Sequence, residues 1–300
     1  MALRTRASRT AEYMALFRAI ESSRPVGSRL FHDPFAALFL RGWRKWVYPV
    51  TKFGLGRRLV EGLLDRESPG ARAAGIARTK WIDDQIAHAL ETCTQLVLLG
   101  AGFDTRVYRL PAAQRATTFE LDQPDTSAAK QATLRKKIGK LPQQVHFVTI
   151  DFNQQSFSDV LSSAGFDALK LTCFVWEGVT NYLSADAVDG VLRQISKTAT
   201  GSVLLFTYVD RRVLEQPEQF FGAQKLLSRL RGYGEPWTFG LDPEQVQTYL
   251  AERSLRLLQD LSVAEVWQRA GRPPAEMRGY EFYRVTSASV GPSSPSKGQL

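Results

Sequence analysis

The sequence predicts an α/β protein built on a doubly wound, seven-stranded, mostly parallel sheet, with a helical lid ahead of it and a helical insertion late in it. Three observations predict this. Short apolar runs alternate with helical stretches from residue 95 to residue 207. The first run, Gln95-Leu-Val-Leu-Leu-Gly-Ala-Gly-Phe-Asp-Thr105, passes from a buried strand through a tight glycine turn into a helix start. Two further strand-like runs, 254–259 and 280–286, follow a helical excursion.

Taken in order, residues 9–21, 33–66 and 70–91 read as helices in which aromatic and aliphatic residues interleave with arginines. Asp33-Pro34 supplies an N-cap followed by a proline at the first helical position. Strands are expected at 95–99, 116–121, 145–150, 171–176 and 201–207, with helices near 104–110, 123–138, 155–164 and 184–197. Such alternation implies right-handed βαβ units. A helical stretch at 211–231 and the turn-rich segment 232–240 come next, then a helix at 242–252 and the two late strands. One late strand is expected at the sheet edge, antiparallel to the rest. The chain thus divides into a lid with its lead-in helix, 1–92, a core, 93–286, with a lid insertion near 210–240, and a Ser-, Pro- and Gly-rich tail, 287–300, expected to be disordered.

A hydrophobic content of 44% suits a globular core. No apolar run approaches the roughly 18 residues of a membrane span, so no membrane partner is expected. The N-terminus lacks the apolar region of a secretory signal. Cys93 and Cys173 are isolated, which fits neither a disulfide framework nor a zinc site, and a reducing, cytoplasmic location without a bound metal is expected. The net charge of +9 is concentrated in residues 1–80, which hold 16 Lys/Arg against 6 Asp/Glu. An anionic substrate drawn to a basic lid and a solvated surface both account for this. Nucleic acid is disfavoured, because the arginines are scattered through helical segments without a recognisable binding module.

Gly100 and Gly102 carry no Cβ, so a ligand can approach their backbone closely. Asp104 and Thr105 stand where the next helix would need a cap. The second strand ends in Glu120-Leu-Asp122, and an acid there can accept hydrogen bonds from both hydroxyls of a ribose. The third glycine of a dinucleotide fingerprint falls instead on Thr105. S-adenosylmethionine (SAM) has a ribose and an adenine but no phosphate, so the turn favours SAM over NAD. An ordinary tight turn is the plain alternative. Asp151-Phe152 follows the third strand, where the acid can meet an adenine amino group and the ring can cover the base, or Asp151 can simply cap a helix. Glu177 follows the apolar Thr172-Cys-Phe-Val-Trp176 as a ligand group or a cap. Tyr182 lies near it, facing the methyl acceptor or packed on the sheet. Arg78, on the helix before the first strand, can offer two parallel hydrogen bonds to a cofactor carboxylate, or can be solvated.

In order, Ala77-Arg-Thr-Lys-Trp-Ile-Asp-Asp84, Leu99-Gly-Ala-Gly-Phe-Asp-Thr-Arg-Val-Tyr-Arg-Leu110, Phe119-Glu-Leu-Asp-Gln-Pro124, Asp151-Phe152, Glu177-Gly-Val-Thr-Asn-Tyr-Leu183 and Gly234-Glu-Pro-Trp-Thr-Phe-Gly-Leu-Asp-Pro243 resemble the leucine carboxyl methyltransferase family. The likeness is to its bacterial branch of SAM-dependent O-methyltransferases and spans residues 9 to 285. It implies a SAM-binding, Rossmann-like core roofed by the N-terminal and late insertions. It also implies that Arg78 grips the methionine carboxylate and Gly100 lies beneath the methionine. By the same resemblance Asp122 holds the ribose with Glu120 beside it, Asp151 and Phe152 frame the adenine, and Glu177 approaches the amino group. A basic residue from the N-terminal helices is implied near the cofactor or acceptor, with Arg9 the candidate.

Methyl transfer from a sulfonium is an in-line displacement, so the protein must chiefly align the reactants and exclude water. A carboxylate acceptor needs no general base, whereas a phenol or alcohol does. Tyr182 and His32 are the candidates for that role, while His88 and His146 are expected to be structural. The expected acceptor is a small metabolite, anionic or aromatic. Phe220, Phe221, Tyr233, Trp237 and Phe239 either line its pocket or form the core of the lid. An RNA- or protein-directed methyltransferase, or a SAM-binding protein without turnover, is the alternative.

Overall fold

A computed structural model describes residues 9–151 and 155–291. The sheet comprises β1 (Gln95–Leu99), β2 (Thr117–Asp122), β3 (Val145–Thr149), β4 (Thr172–Trp176), β5 (Val203–Val209), β6 (Leu255–Ser262) and β7 (Tyr283–Val290). Their order is β3-β2-β1-β4-β5-β7-β6. Strands β1 to β5 are parallel, and β7 runs antiparallel to both its neighbours. All of β1 and β4 is buried, as continuous apolar runs covered on both faces should be. Leu96 and Leu98 join the apolar cluster that includes the helices Arg9–Ser22, Ala71–Ala89 and Val263–Arg269. Val97 and Leu99 join the opposite one, with Phe157–Ser163, Ala185–Ile195 and Val246–Ala251. The strand's two-residue period thus divides β1 between the two layers.

Three expectations need correction. The antiparallel strand lies one place in from the edge. Strand β7 is rich in small and β-branched residues and is almost wholly buried, whereas β6 carries Arg256, Gln259 and Asp260 and suits the half-exposed edge. Second, β7 runs to Val290, so the expected tail boundary at 287 falls inside a strand, and Ser287 and Ser289 are buried opposite Leu205 and Val203. Residues 292–300 lie outside the described residues. Third, 33–66 is not one helix. It breaks at Gly42, whose φ is +54°, and again at Pro49 and Phe53-Gly54, giving two 3-10 turns, the short helix Trp43–Val47 and the helix Gly54–Glu67. The Asp33 cap does form: its Oδ1 accepts from the N–H groups of Phe35 and Ala36, both at 3.0 Å. No helix among the described residues is long and apolar enough to cross a membrane.

Candidate active site

Strands β1 and β4 are neighbours, yet the chain leaves β1 for β2 on the other side. Ligands bind in the crevice that such a switch opens beyond the strands' C-terminal ends. Here that crevice is a cavity of about 540 Å³. Its floor is the turn from Gly100 to Thr105, and Asp122, Asp151 and Glu177 stand at its walls. Thr10, Ala11, Met14 and Arg18 of the first helix roof it together with Gly234, Glu235, Pro236 and Thr238 of the late insertion. Thr10 Oγ1 donates to Glu235 Oε2 at 2.5 Å and latches the two parts of the roof.

The N–H groups of Gly100 and Ala101 both donate to the Leu121 carbonyl at 2.9 Å, holding the turn against β2. Gly100 has φ of +70°, and a Cβ there would come within 2.5 Å of Val179 Cγ2. Asp122 accepts from the Gly102 N–H through Oδ2 and from the Gln123 N–H at 2.7 Å through Oδ1. Burial pushes the Asp122 carboxyl above its ordinary value, against those two bonds. Each oxygen keeps a lone pair for a ribose hydroxyl.

Behind the turn lies a chain of buried charges. Arg78 Nε donates to Glu177 Oε1 at 2.7 Å, and Arg106 Nη1 donates to Glu177 Oε2 at 2.6 Å. Arg106 also reaches Asp83 at 2.7 Å and Asp104 at 2.5 Å. Arg109 closes on both oxygens of Asp83, at 2.7 and 2.8 Å. Thr105 Oγ1 and Arg18 Nε both donate to Asp33 Oδ2, at 2.7 and 2.9 Å, which ties the lid to the turn. Burial opposes ionisation of Glu177, but Arg106 and Arg78 outweigh it and hold the carboxyl below its usual range. Asp104 is likewise held down, to about 2, because Arg106 overcomes its burial.

The structure brings Arg78, Gly100, Gly102, Asp104, Asp122, Asp151, Glu177 and Tyr182 to one cavity. Glu120 is not among them. It shares a face of β2 with Asp122 but sits one pleat repeat, roughly 6.6 Å, back from the strand's end. There it pairs with the buried Lys130 at 2.7 Å and accepts from the Tyr108 hydroxyl at 3.4 Å. His32 is exposed and does not line the cavity, so its expected place at the acceptor is corrected. Phe152 and the Arg9 side chain lie outside the described residues. The five aromatics of 220–239 do not line the cavity either. Trp237 packs edge-on to Phe282 and Tyr283, and Phe220 to Phe282, so they fasten the insertion to the start of β7 and the residue before it. Sequence reasoning missed Arg18, Asp83, Arg106 and Arg109. Arg106 and Arg109 stand three apart on one helix face, and that spacing is a signal that was available.

A glycine turn after β1 with an acid at the end of the adjacent β2, beside the switch point between β1 and β4, is the arrangement of a nucleoside-cofactor site in a Rossmann-like fold. Residues 11–196 match the family model for leucine carboxyl methyltransferase, and the chain belongs to that family. A protein of Mycolicibacterium gilvum named as a SAM-dependent methyltransferase is 31% identical over 280 residues, spanning 89% of this chain and 84% of its own. One of the same name from Mycolicibacterium vanbaalenii is 33% identical, over 82% and 80%. A methyltransferase structure from Thermobifida fusca superposes with a TM-score of 0.59 at 18% identity, covering 97% of both chains, which shows a shared fold. This chain is accordingly a SAM-dependent methyltransferase.

One consequence is testable at the turn. Gly100→Ala must adopt a positive φ and displace Val179, so SAM affinity is expected to fall by about tenfold or more. Calorimetric titration showing wild-type affinity would remove Gly100 from the cofactor's floor.

Proposed function

We propose that the enzyme methylates an oxygen of a small metabolite, with a carboxylate favoured over a phenolic or alcoholic hydroxyl. The observation that supports this is that the cavity carboxylates Asp104, Asp122, Glu177 and Glu235 each already accept a hydrogen bond from another group of the protein. Burial raises the Tyr182 hydroxyl above its ordinary value, so it donates a hydrogen bond more readily than it takes a proton. Asp104 is ion-paired with Arg106 at 2.5 Å, and Glu235 accepts from Thr10. A carboxylate arrives ionised and needs none of them. The roof latch supports a small acceptor over an RNA strand or a folded protein.

SAM supplies a methyl group already activated by the sulfonium charge. The chain's own part is to hold and align. Asp122 takes the ribose and Asp151 the adenine amino group. Arg78 engages Glu177 through Nε, which leaves its Nη edge for the methionine carboxylate. Glu177 receives the amino group while the two arginines fix its plane. Tyr182 positions the acceptor oxygen, and the Thr10–Glu235 latch excludes water.

The test is transfer of labelled methyl from SAM to a panel of acidic and phenolic metabolites, followed by mild alkali. A methyl ester releases its label as methanol and an aryl ether keeps it, so alkali-stable product alone would refute the carboxylate reading. Tyr182→Phe is expected to lower kcat/KM for the acceptor by roughly fivefold to tenfold, the worth of one hydrogen bond, without altering the pH profile. His32→Ala should leave kcat and KM within about twofold, as befits an exposed residue outside the cavity. A larger loss would return His32 to the site.

A further inference from the structure

The outer face of the lid carries an apolar surface that the methyltransferase site does not use. Trp43, Trp46, Phe53, Leu55, Leu59 and Leu63 are all exposed, from 46% at Trp43 to 81% at Trp46. Leu55, Leu59 and Leu63 recur every fourth residue along one face of the helix Gly54–Glu67, opposite the buried Val60 and Leu64. The preceding turn is folded tightly onto this helix: a Cβ on Gly56 would come within 2.4 Å of the Val50 carbonyl oxygen. The short helix that carries the tryptophans and the helix that carries the leucine stripe both pack against this turn, Tyr48–Lys52, so the exposed apolar side chains are gathered within residues 43–63. Exposed apolar patches of this kind are rare unless something covers them.

The charges around the patch say what covers it. Residues 41–63 contain six Lys/Arg and a single acid, Glu61. Glu61 is buried and spent on Arg24 at 2.5 Å. Arg41, Lys45, Lys52 and Arg58 are exposed among the apolar side chains. We propose that this face docks on an anionic lipid membrane, with the tryptophans and leucines in the headgroup boundary and the basic side chains against the lipid phosphates. A second copy of the chain fits less well, because a twofold contact would set the same basic rims against each other. Nucleic acid would pair with the charges but would leave the leucine stripe in water. That no helix among the described residues is long and apolar enough to cross a membrane does not bear on this, since surface docking needs only one apolar face, and the expectation of no membrane partner rested on spanning alone.

Docking there would bring the roof close to the bilayer. Arg44, on the patch side, pairs with Glu12 at 2.9 Å and lies 4.2 Å over the Tyr13 ring. Both residues belong to the helix whose Thr10, Ala11 and Met14 roof the cavity.

The test is sedimentation of the full chain with vesicles of phosphatidylcholine alone or mixed with phosphatidylglycerol. Binding is expected to the mixed vesicles only and should weaken as salt rises. Replacing both Trp46→Ser and Phe53→Ser should weaken it by about tenfold or more, because both side chains lose their burial in the boundary. SAM titration of the same double variant, unchanged from wild type, would show an intact fold. Three results would overturn the proposal: no binding to either vesicle, binding that the double variant leaves intact, or a dimer in solution that the double variant dissolves. Salt-sensitive retention on RNA without vesicle binding would overturn it in favour of nucleic acid.

Discussion

Arg106→Leu is expected to lower the melting temperature by on the order of 10 °C and to abolish measurable SAM binding. Arg106 is 3% exposed and bonds Asp83, Asp104 and Glu177. Removing it takes Asp104's ion-pair partner and one partner each from Asp83 and Glu177, which keep Arg109 and Arg78, and breaking such a buried arrangement costs about 3–5 kcal/mol. For a chain of this size each kcal/mol shifts the melting temperature by roughly 2–4 °C. Arg106→Lys should fall between, since one ammonium cannot span three partners as the planar fork does. The pH dependence carries the sign. Asp104 and Glu177 ionise in the folded state below their ordinary values of 3.8 and 4.5. Their contribution is therefore complete above about 4.5 and is lost as pH falls towards about 2. Thermal melts across that window should show wild type losing stability on acidification and its advantage over Arg106→Leu narrowing. A variant melting within about 2 °C of wild type at neutral pH would show that the network contributes little.

Asp122→Ala is expected to weaken SAM binding by about a hundredfold or more, since each hydrogen bond to a charged acceptor is worth about 1.5–3 kcal/mol and the ribose offers two hydroxyls. Its melting temperature without ligand should move far less than that of Arg106→Leu. The carboxylate is already penalised by burial, so removing it relieves a cost that partly offsets the loss of the Gly102 and Gln123 bonds. Asp122→Asn retains one acceptor oxygen and should lose roughly tenfold. Calorimetry and the SAM-induced rise in melting temperature measure both variants. Full-strength binding by Asp122→Ala would place the ribose elsewhere. A large drop in the apo melting temperature would make Asp122 chiefly a structural clamp on the glycine turn.

What the sequence determined by itself is what depends on neighbouring residues. The alternation of strands and helices, the tight turn at Gly100 and the position of Asp122, Asp151 and Glu177 at or just beyond the ends of their strands follow from local period, glycine's freedom at positive φ and the ends of apolar runs. Only the tertiary structure decided which of the charged residues meet. Glu120 and Asp122 look equivalent in sequence, yet Lys130 claims the first and the turn claims the second. His32 lies in the lid but outside the cavity, while Arg18, fourteen residues earlier, lines it. Arg106 reaches Glu177 across 71 positions, Arg78 reaches it across 99, and Thr10 reaches Glu235 across 225. The placement of β7 inside β6 was equally non-local, because it turned on which late strand could be buried on both sides. Pairings of this kind carry no local periodicity, since their partners are chosen by the packing of whole layers and by the cost of leaving a buried charge alone.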